Sequence, residues 1–358
     1  MSSLTMDKVM EALRQVEDPE LHRDLVSLNM VKDVSIDGTN VALTVELTTP
    51  ACPLKGEIKN RVETALVSAG ASAVDLSFGA QVPQGRRAPD KATLEGVKNI
   101  VAVASGKGGV GKSTVAANLA LALSESGAEV GLMDADIYGP SIPTLMKIEH
   151  EPKMKGKENQ IIPLESYGIK LVSMGFLTTK ESPVIWRGPM VHQIVQQFLR
   201  NVLWGELDYL VIDLPPGTGD AQLTLVQTAP LSGAVIVTTP QELSLLDARK
   251  GLLMFERVDV PVLGIVENMS YFSCPHCAER TDIFATGGGK NCAEELGVEL
   301  LAEVPLIPAI RECGDAGTPI IVAQPDSEAA RIYRELAGQV AAKLSVLALT
   351  KTELPVIM

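Results

Sequence analysis

The sequence predicts an α/β protein: a mostly parallel sheet flanked by helices, preceded by a small α+β domain. Three observations lead there. Beyond Val97, near-continuous apolar runs (VKNIVAVAS, AEVGLMDAD, LDYLVIDLP, GAVIVTTP, VPVLGIVEN) alternate with helical segments, as parallel strands buried on both faces require. Before residue 80 the pattern is different, with a hairpin signal between two helical periods. Between these regions, QVPQGRRAPDKATLEG is rich in proline, glycine and charge and has no periodicity. The expected division is therefore 1–82, a linker 83–96, and 97–358.

In the first region, Val9, Met10, Leu13 and Val16 recur at helical spacing over Met6–Val16, and EDPEL breaks the pattern at Pro19. Val31–Leu47 alternates around a turn at Asp37-Gly38, which predicts a hairpin. Leu54–Ala69 has helical periodicity and Ala73–Phe78 reads as a closing strand. At the far end, Ser327–Ala348 is an amphipathic helix.

Composition narrows the function classes. Of the 358 residues, 46% are hydrophobic and 21% charged, an ordinary soluble balance. The net charge of −13 argues against broad nucleic-acid or anionic-membrane binding, which needs a basic surface. No basic-then-apolar leader and no spanning-length apolar run is present. Five cysteines, an odd number, do not resemble an oxidised framework. The expectation is a cytoplasmic protein with reduced thiols and with no nucleic-acid or membrane partner.

Directly after the strand NIVAVAS comes GKGGVGKST: Gly106, Lys107, Gly108, Gly109, Val110, Gly111, Lys112, Ser113 and Thr114. It satisfies G-x-x-x-x-G-K-[ST], and a strongly helical segment follows. The glycines let consecutive backbone N–H groups face phosphate oxygens, and the helix N-terminus adds its positive end. Lys112 is placed to reach β- and γ-phosphates, and Ser113 to join a Mg²⁺ shell. ATP and Mg²⁺ are the expected ligands.

Lys107, second in the motif, matches the deviant phosphate loop of the MinD/ParA/ArsA/nitrogenase-iron-protein class. That resemblance implies a nucleotide-sandwich dimer in which Lys107 reaches the partner's phosphates. A cation supplied in trans would neutralise charge developing during phosphoryl transfer. Asp134 and Asp136 close the strand GLMDAD, at the end where open α/β sheets bind ligands. By the same resemblance, Asp136 orients or activates the attacking water. Asp213 ends YLVID as the Mg²⁺-directed carboxylate, and Gly217 in LPPGTGD donates an N–H to the γ-phosphate.

Longer motifs narrow the resemblance. DADIYGPSIP (134–143), VIWRGPM (184–190), DLPPGTGD (213–220), TTPQELSLLDARKGLLMF (238–255) and ENMSYFSCPHC (267–277) together resemble the Mrp/ApbC family of iron–sulfur cluster carrier ATPases. The match covers essentially all of Val97–Ala348. It implies that Asn268 reads the adenine base and that Pro305–Ile310 line the base pocket. EDPEL and TTPACPL resemble the small iron–sulfur-assembly domain often fused ahead of bacterial members, with Cys52 as its characteristic cysteine. Two departures stand out. Leu28–Val31 is LNMV where LGMV is common, and asparagine tolerates φ > 0 better than other non-glycine residues. Phe284-Ala285 replaces a phenylalanine-glycine pair.

Cys274 and Cys277 supply two thiolates where zinc or an iron–sulfur cluster takes four ligands. A redox dithiol, a zinc site and a cluster shared across a two-fold axis are all open on residue chemistry. In a C₂ dimer two ligands become four, and the deviant loop independently implies such a dimer. The expected function is an ATP-hydrolysing carrier that holds a [4Fe–4S] cluster at a homodimer interface, with cluster scaffold or donor proteins and apo-acceptors as partners. The alternatives are a MinD/ParA-type positioning ATPase and an ATP-driven iron–sulfur reductase. For Cys52, a thiol activated at the helix start and an inert buried thiol are equally compatible with the sequence.

Overall fold

The computed structural model describes residues 4–85, 94–137, 139–148, 152, 154–155, 160–177, 188–274, 276–277 and 279–350. Most of the 83–96 linker, residues 184–187 of VIWRGPM, Tyr138 and the tail 351–358 lie outside them. The chain divides into two compact units, Met1–Pro83 with Ala341–Met358, and Gln84–Val340.

In the first unit, helix α1 (Met6–Leu13) buries Val9 and Leu13, one turn apart, and Thr5 caps it by accepting from Lys8 N. Strands β1 (Val31–Asp37) and β2 (Asn40–Leu47) form the antiparallel hairpin. Its loop is Gly38-Thr39, one residue beyond the expected position. Asp37 still pairs with Asn40, and Gly38 takes the positive φ of 64°. Alternation along β2 buries Val41, Leu43, Val45 and Leu47. Helix α2 (Lys55–Ser68) buries Ile58, Val62 and Leu66 at i, i+4 and i+8, each worth about 1.5–3 kcal/mol relative to exposure. It leads into β3 (Ala73–Ala80), parallel to β2. Asn29 takes φ 56°, so the asparagine of LNMV occupies the left-handed conformation open to it.

In the second unit, β4 (Val97–Ala104) is central and almost wholly buried. It lies between β8 (Leu207–Asp213) and β9 (Gly233–Thr238), parallel to both. Outward from β8 come β5 (Val130–Asp134), β7 (Ile169–Ser173) and the antiparallel β6 (Leu164–Ser166). Outward from β9 lies β10 (Val262–Ser273), which pairs with the short antiparallel β11 (Arg280–Thr281) and the parallel β12 (Leu300–Leu306). Nine strands thus make this sheet among the described residues. Helices α3 (Lys112–Glu125), α4 (Gly188–Asn201), α5 (Asp220–Thr228), α6 (Glu242–Arg257), α7 (Gly288–Glu295) and α8 (Pro308–Asp315) flank or follow the strands. Helix α9 (Glu328–Leu349) is the last element among the described residues, and its residues up to Val340 belong to this unit. The core includes Ile100, Ile212, Ile236, Ile265, Phe198 and Trp204. Because the sheet is parallel through its centre, the carboxyl ends of β4, β5 and β8 open on one edge, where ligands bind in such folds.

Candidate functional site

Ser105 follows β4 and fixes the start of the loop. Its Oγ donates to Lys107 O at 2.9 Å, and its own carbonyl accepts Gly217 N at 2.9 Å. The loop before α3 and the loop after β8 are thereby joined. Gly109 and Gly111 both take φ 81°, the left-handed conformation that turns successive amides inward. Two glycines are also required by close approach. A Cβ on Gly106 would lie 2.2 Å from the Asp247 carbonyl carbon of α6, and one on Gly111 would lie 2.2 Å from Asn268 Nδ2. Asn268 uses that Nδ2 to donate to Val110 O at 2.8 Å. Lys107 is half-buried and takes part in no ion pair among the described residues.

Lys112, 6% exposed, stands between two carboxylates. Its Nζ lies 2.5 Å from Asp213 Oδ1 and 3.8 Å from Asp136 Oδ2, and it donates to Ser113 Oγ at 3.3 Å. Burial pushes the Asp213 carboxyl up, opposed mainly by the Lys112 charge. Among the described residues, Asp213 Oδ2 is buried without a hydrogen-bond partner. An orphaned acceptor beside the Ser113 hydroxyl suits a hydrated Mg²⁺, so the residues fit that ion.

The two aspartates after β5 have different surroundings. Asp134 is fully buried and holds the loop: Oδ1 accepts Asp136 N at 3.1 Å, and Oδ2 accepts Ile142 N at 3.2 Å and Ser173 Oγ at 2.8 Å. Its carboxyl is pushed up to about 7 by burial and then by the nearby Asp213 charge. Asp136 faces Lys112 and also accepts Gly139 N at 3.1 Å.

Beside the phosphate loop lies a cavity of about 250 Å³ bounded by Gly111, Thr114, Asn268 and Pro305–Ile307 with Ile310. Leu145, Met269, Arg311, Gly314 and Asp315 also line it, beyond the residues that the sequence motifs point to. Some of these carry a signal. Residues 307, 310, 311 and 314 follow the i, i+3, i+4, i+7 spacing of one helical face at α8. Leu145 and Met269 have none, since only the fold brings them to the cavity.

Strand β10 carries Asn268 and runs on to Ser273, next to Cys274. Ser273 pairs with Arg280 and Phe272 with Thr281, and Cys274 N donates to Glu279 O at 3.0 Å, which closes a tight hairpin. The backbone N–H groups of His276 and then Cys277 point at the Cys274 sulfur and lower its pKa. Amides directed at a sulfur stabilise the thiolate that a metal needs. Cys274 is half-buried; His276 and Cys277 are exposed. Among the described residues no group of three or more Cys, His, Asp or Glu side chains is placed to hold a metal.

The other cysteines are different. Cys292 is fully buried in the core, and burial raises both it and Cys313. Cys52 is pushed up to about 11: burial outweighs the N–H groups of Leu54 and Lys55, and the Glu20 and Asp18 charges add to it. In this packing the desolvation of the half-buried thiol exceeds the help from the two amides, the direction of the inert-thiol alternative. Glu20 is itself pushed up to about 7 by burial and by Asp18.

A phosphate loop on the central strand of a parallel sheet, with Lys112, Ser113, Asp136 and Asp213 gathered at one edge, defines a P-loop NTPase of MinD/ParA architecture. The chain belongs to the NUBPL iron-transfer P-loop NTPase family, whose description matches residues 96–341, and residues 6–75 match the iron-sulfur cluster assembly protein family. It is 52% identical over 355 residues to the iron-sulfur cluster carrier protein of Synechocystis, covering 97% of this chain and 99% of that one. It is 46% identical to the carrier protein of Escherichia coli K12, covering 93% and 90%. It is 52% identical to the iron-sulfur cluster transfer protein NUBPL of Dictyostelium discoideum, covering 74% and 82%. Among solved structures, a nucleotide-binding protein in complex with ADP from Archaeoglobus fulgidus is 41% identical with a TM-score of 0.58, covering 66% of this chain and 92% of that one. The septum site-determining protein MinD with Mg-ADP from Pyrococcus horikoshii is 25% identical with a TM-score of 0.52, covering 68% and 95%. Among the described residues no helix is long and apolar enough to cross a membrane.

Proposed function

We propose that this protein is an ATP-hydrolysing carrier that takes a [4Fe–4S] cluster as cargo between Cys274 and Cys277 of two copies and passes it to apo-proteins. One observation carries the reading. The two thiols stand on a hairpin whose amides favour the Cys274 thiolate, at the end of the strand that presents Asn268 to the phosphate loop. Two thiolates per chain make a complete four-sulfur site only when two chains meet. The names of the relatives and the ADP complex of a 41%-identical structure support both halves of it.

In this reading the amides of Gly106–Gly111 and the start of α3 cradle the phosphates. Lys112 leaves its carboxylate partners to bind phosphate oxygens, and Lys107 serves the partner chain's nucleotide. Ser113 and Asp213 would hold Mg²⁺, which supplies charge neutralisation to the phosphates, while Thr114 adjoins the nucleotide. Asp136 positions the attacking water, and Gly217 N leaves Ser105 O to face the γ-phosphate. Asn268 and the apolar wall at Pro305–Ile310 hold the base. Cluster donors and apo-acceptors are the protein partners, and the compartment is the cytoplasm.

Anaerobic reconstitution with iron and sulfide tests it. The expected product is a dimer with four irons and four sulfides, a number set by the cluster type. Cys274→Ala or Cys277→Ala should lose it, while Lys112→Ala assembles the cluster but releases no phosphate from ATP. A full cluster on Cys274→Ala, or tightly held zinc without sulfide, overturns the cargo assignment.

A further inference from the structure

Between the nucleotide cavity and the cysteine hairpin, β10 is not a regular strand. Asn268 pairs with Val304, and the next pair is Phe272 with Leu306. Four steps along β10 therefore span two along β12, an insertion of two residues. At the head of this bulge Met269 takes φ 55°, in the left-handed region favoured by glycine. A methionine there is held by its surroundings.

The surroundings are specific on both sides. Met269 lines the cavity with Asn268, and its methyl would lie 3.9 Å from a Cβ on Gly111. Beneath it Ser270 is buried, with Oγ donating to Glu267 Oε1 at 2.6 Å and lying 3.2 Å from Glu303 Oε1. Glu267 is fully buried and its other oxygen accepts Gly289 N of α7. The far end of the bulge, at Tyr271, is held as well. The Arg280 guanidinium lies 4.1 Å from the Tyr271 ring, and Tyr271 donates to Glu328 at 3.1 Å. Within the bulge Ser270 and Tyr271 are thus anchored, Met269 borders the cavity, and Cys274 follows five residues on.

We propose that Met269 is a positioning residue that transmits occupancy of the adenine-nucleotide cavity to the Cys274–Cys277 hairpin. A base entering beside Asn268 presses on the Met269 side chain, the only part of the bulge that faces the cavity among its described lining residues. The bulge shifts because its backbone is already off the preferred region, and the hairpin moves with the clamped end of β10. This rests on the reading of the chain as a nucleotide-driven carrier; it adds the residue through which the drive passes.

The test uses the full-length apo-protein and reads alkylation of Cys274 and Cys277 by N-ethylmaleimide, resolved by mass spectrometry. Rates are compared without nucleotide and with Mg-ADP or Mg-AMP-PNP, each variant at saturation by its own titration. For the native chain the ratio should depart from one by roughly fivefold or more, the lower range of allosteric coupling. Met269→Ala and Met269→Gly should bring it close to one, and Met269→Leu, which refills the cavity wall, should restore it. A native ratio of one with nucleotide bound, or an unchanged ratio in Met269→Ala and Met269→Gly, overturns the proposal. Because no cluster is present in this assay, failed reconstitution would sink the cargo reading and leave this result standing, and the converse holds too.

Discussion

Lys112 Nζ lies 2.5 Å from Asp213 Oδ1, with the lysine 6% exposed and the aspartate fully buried. The residue that binds phosphate is thus also the counter-ion of the residue that faces the metal. Removing one partner of a buried pair leaves the other charge uncompensated and costs ~3–5 kcal/mol, whereas removing both is close to neutral. Lys112→Ala should therefore lower the melting temperature of the nucleotide-free protein, and Lys112→Met with Asp213→Asn should regain most of the loss. Neither variant should release phosphate from ATP. Equal melting temperatures for the single and double variants would show the pair to be energetically idle.

Stability should fall as pH rises from about 4 to about 7. The Asp134 and Glu20 carboxyls are each pushed up to about 7, from ordinary values of 3.8 and 4.5. In that window the folded chain keeps protons that the unfolded chain has released, so unfolding gains on each pH step. Each group contributes at most about 1.4 kcal/mol per pH unit. Below the window both states are protonated, and above it both are ionised with the penalty complete. Asp134→Asn should flatten the dependence in the nucleotide-binding unit and Glu20→Gln in the N-terminal unit, read by urea melts between pH 4.5 and 7.5. A slope unchanged in both variants would assign it to other groups.

Gly111→Ala should weaken nucleotide binding by more than tenfold. The new methyl meets Asn268 Nδ2 at 2.2 Å and must also accept φ 81°, a conformation costing roughly 1–2 kcal/mol for an L-residue. Asn268→Ala removes the collision but leaves the backbone cost. The double variant should then bind better than the sum of the two single losses allows, a non-additivity that titration with a fluorescent nucleotide measures.

Iodoacetamide at pH 7.5 should modify Cys274 and Cys277 first. Cys277 is exposed and Cys274 is held toward thiolate by the His276 and Cys277 amides. Cys52, pushed up to about 11, carries so little thiolate that it should react at least about a hundredfold more slowly. Cys292, fully buried, should react only on unfolding. Cys52 keeping pace with the CPHC pair would contradict its buried, protonated state.

Much of this site is legible in the sequence, because its chemistry is written locally. GKGGVGKST follows its strand and opens its helix in one continuous segment, and Asp136 and Asp213 each sit at or just past a strand end. LNMV is legible as a left-handed turn because asparagine is among the few residues that tolerate one. Other features depend on contacts between residues distant in the chain. Asp134 and Asp136 look equivalent as DAD, yet the first bonds to Ser173 and Ile142 while the second faces Lys112. Cys52 sits beside a helix start, a position compatible with activation, but the packing around it sets the opposite direction.

By itself the sequence determined five apolar strands of the large sheet, the phosphate loop and the CPHC pair, since each depends on residues adjacent or one helical turn apart. Tertiary structure alone decided which side chains meet across the sheet. Lys112 and Asp213 are separated by 101 positions, and Asn268 donates to Val110 across 158. The bulge at Met269 is of the same kind. It appears only in the pairing of β10 with β12, and no local preference of methionine would announce a positive φ. Periodicity reports a residue's own burial; only the packed fold reports what it is buried against.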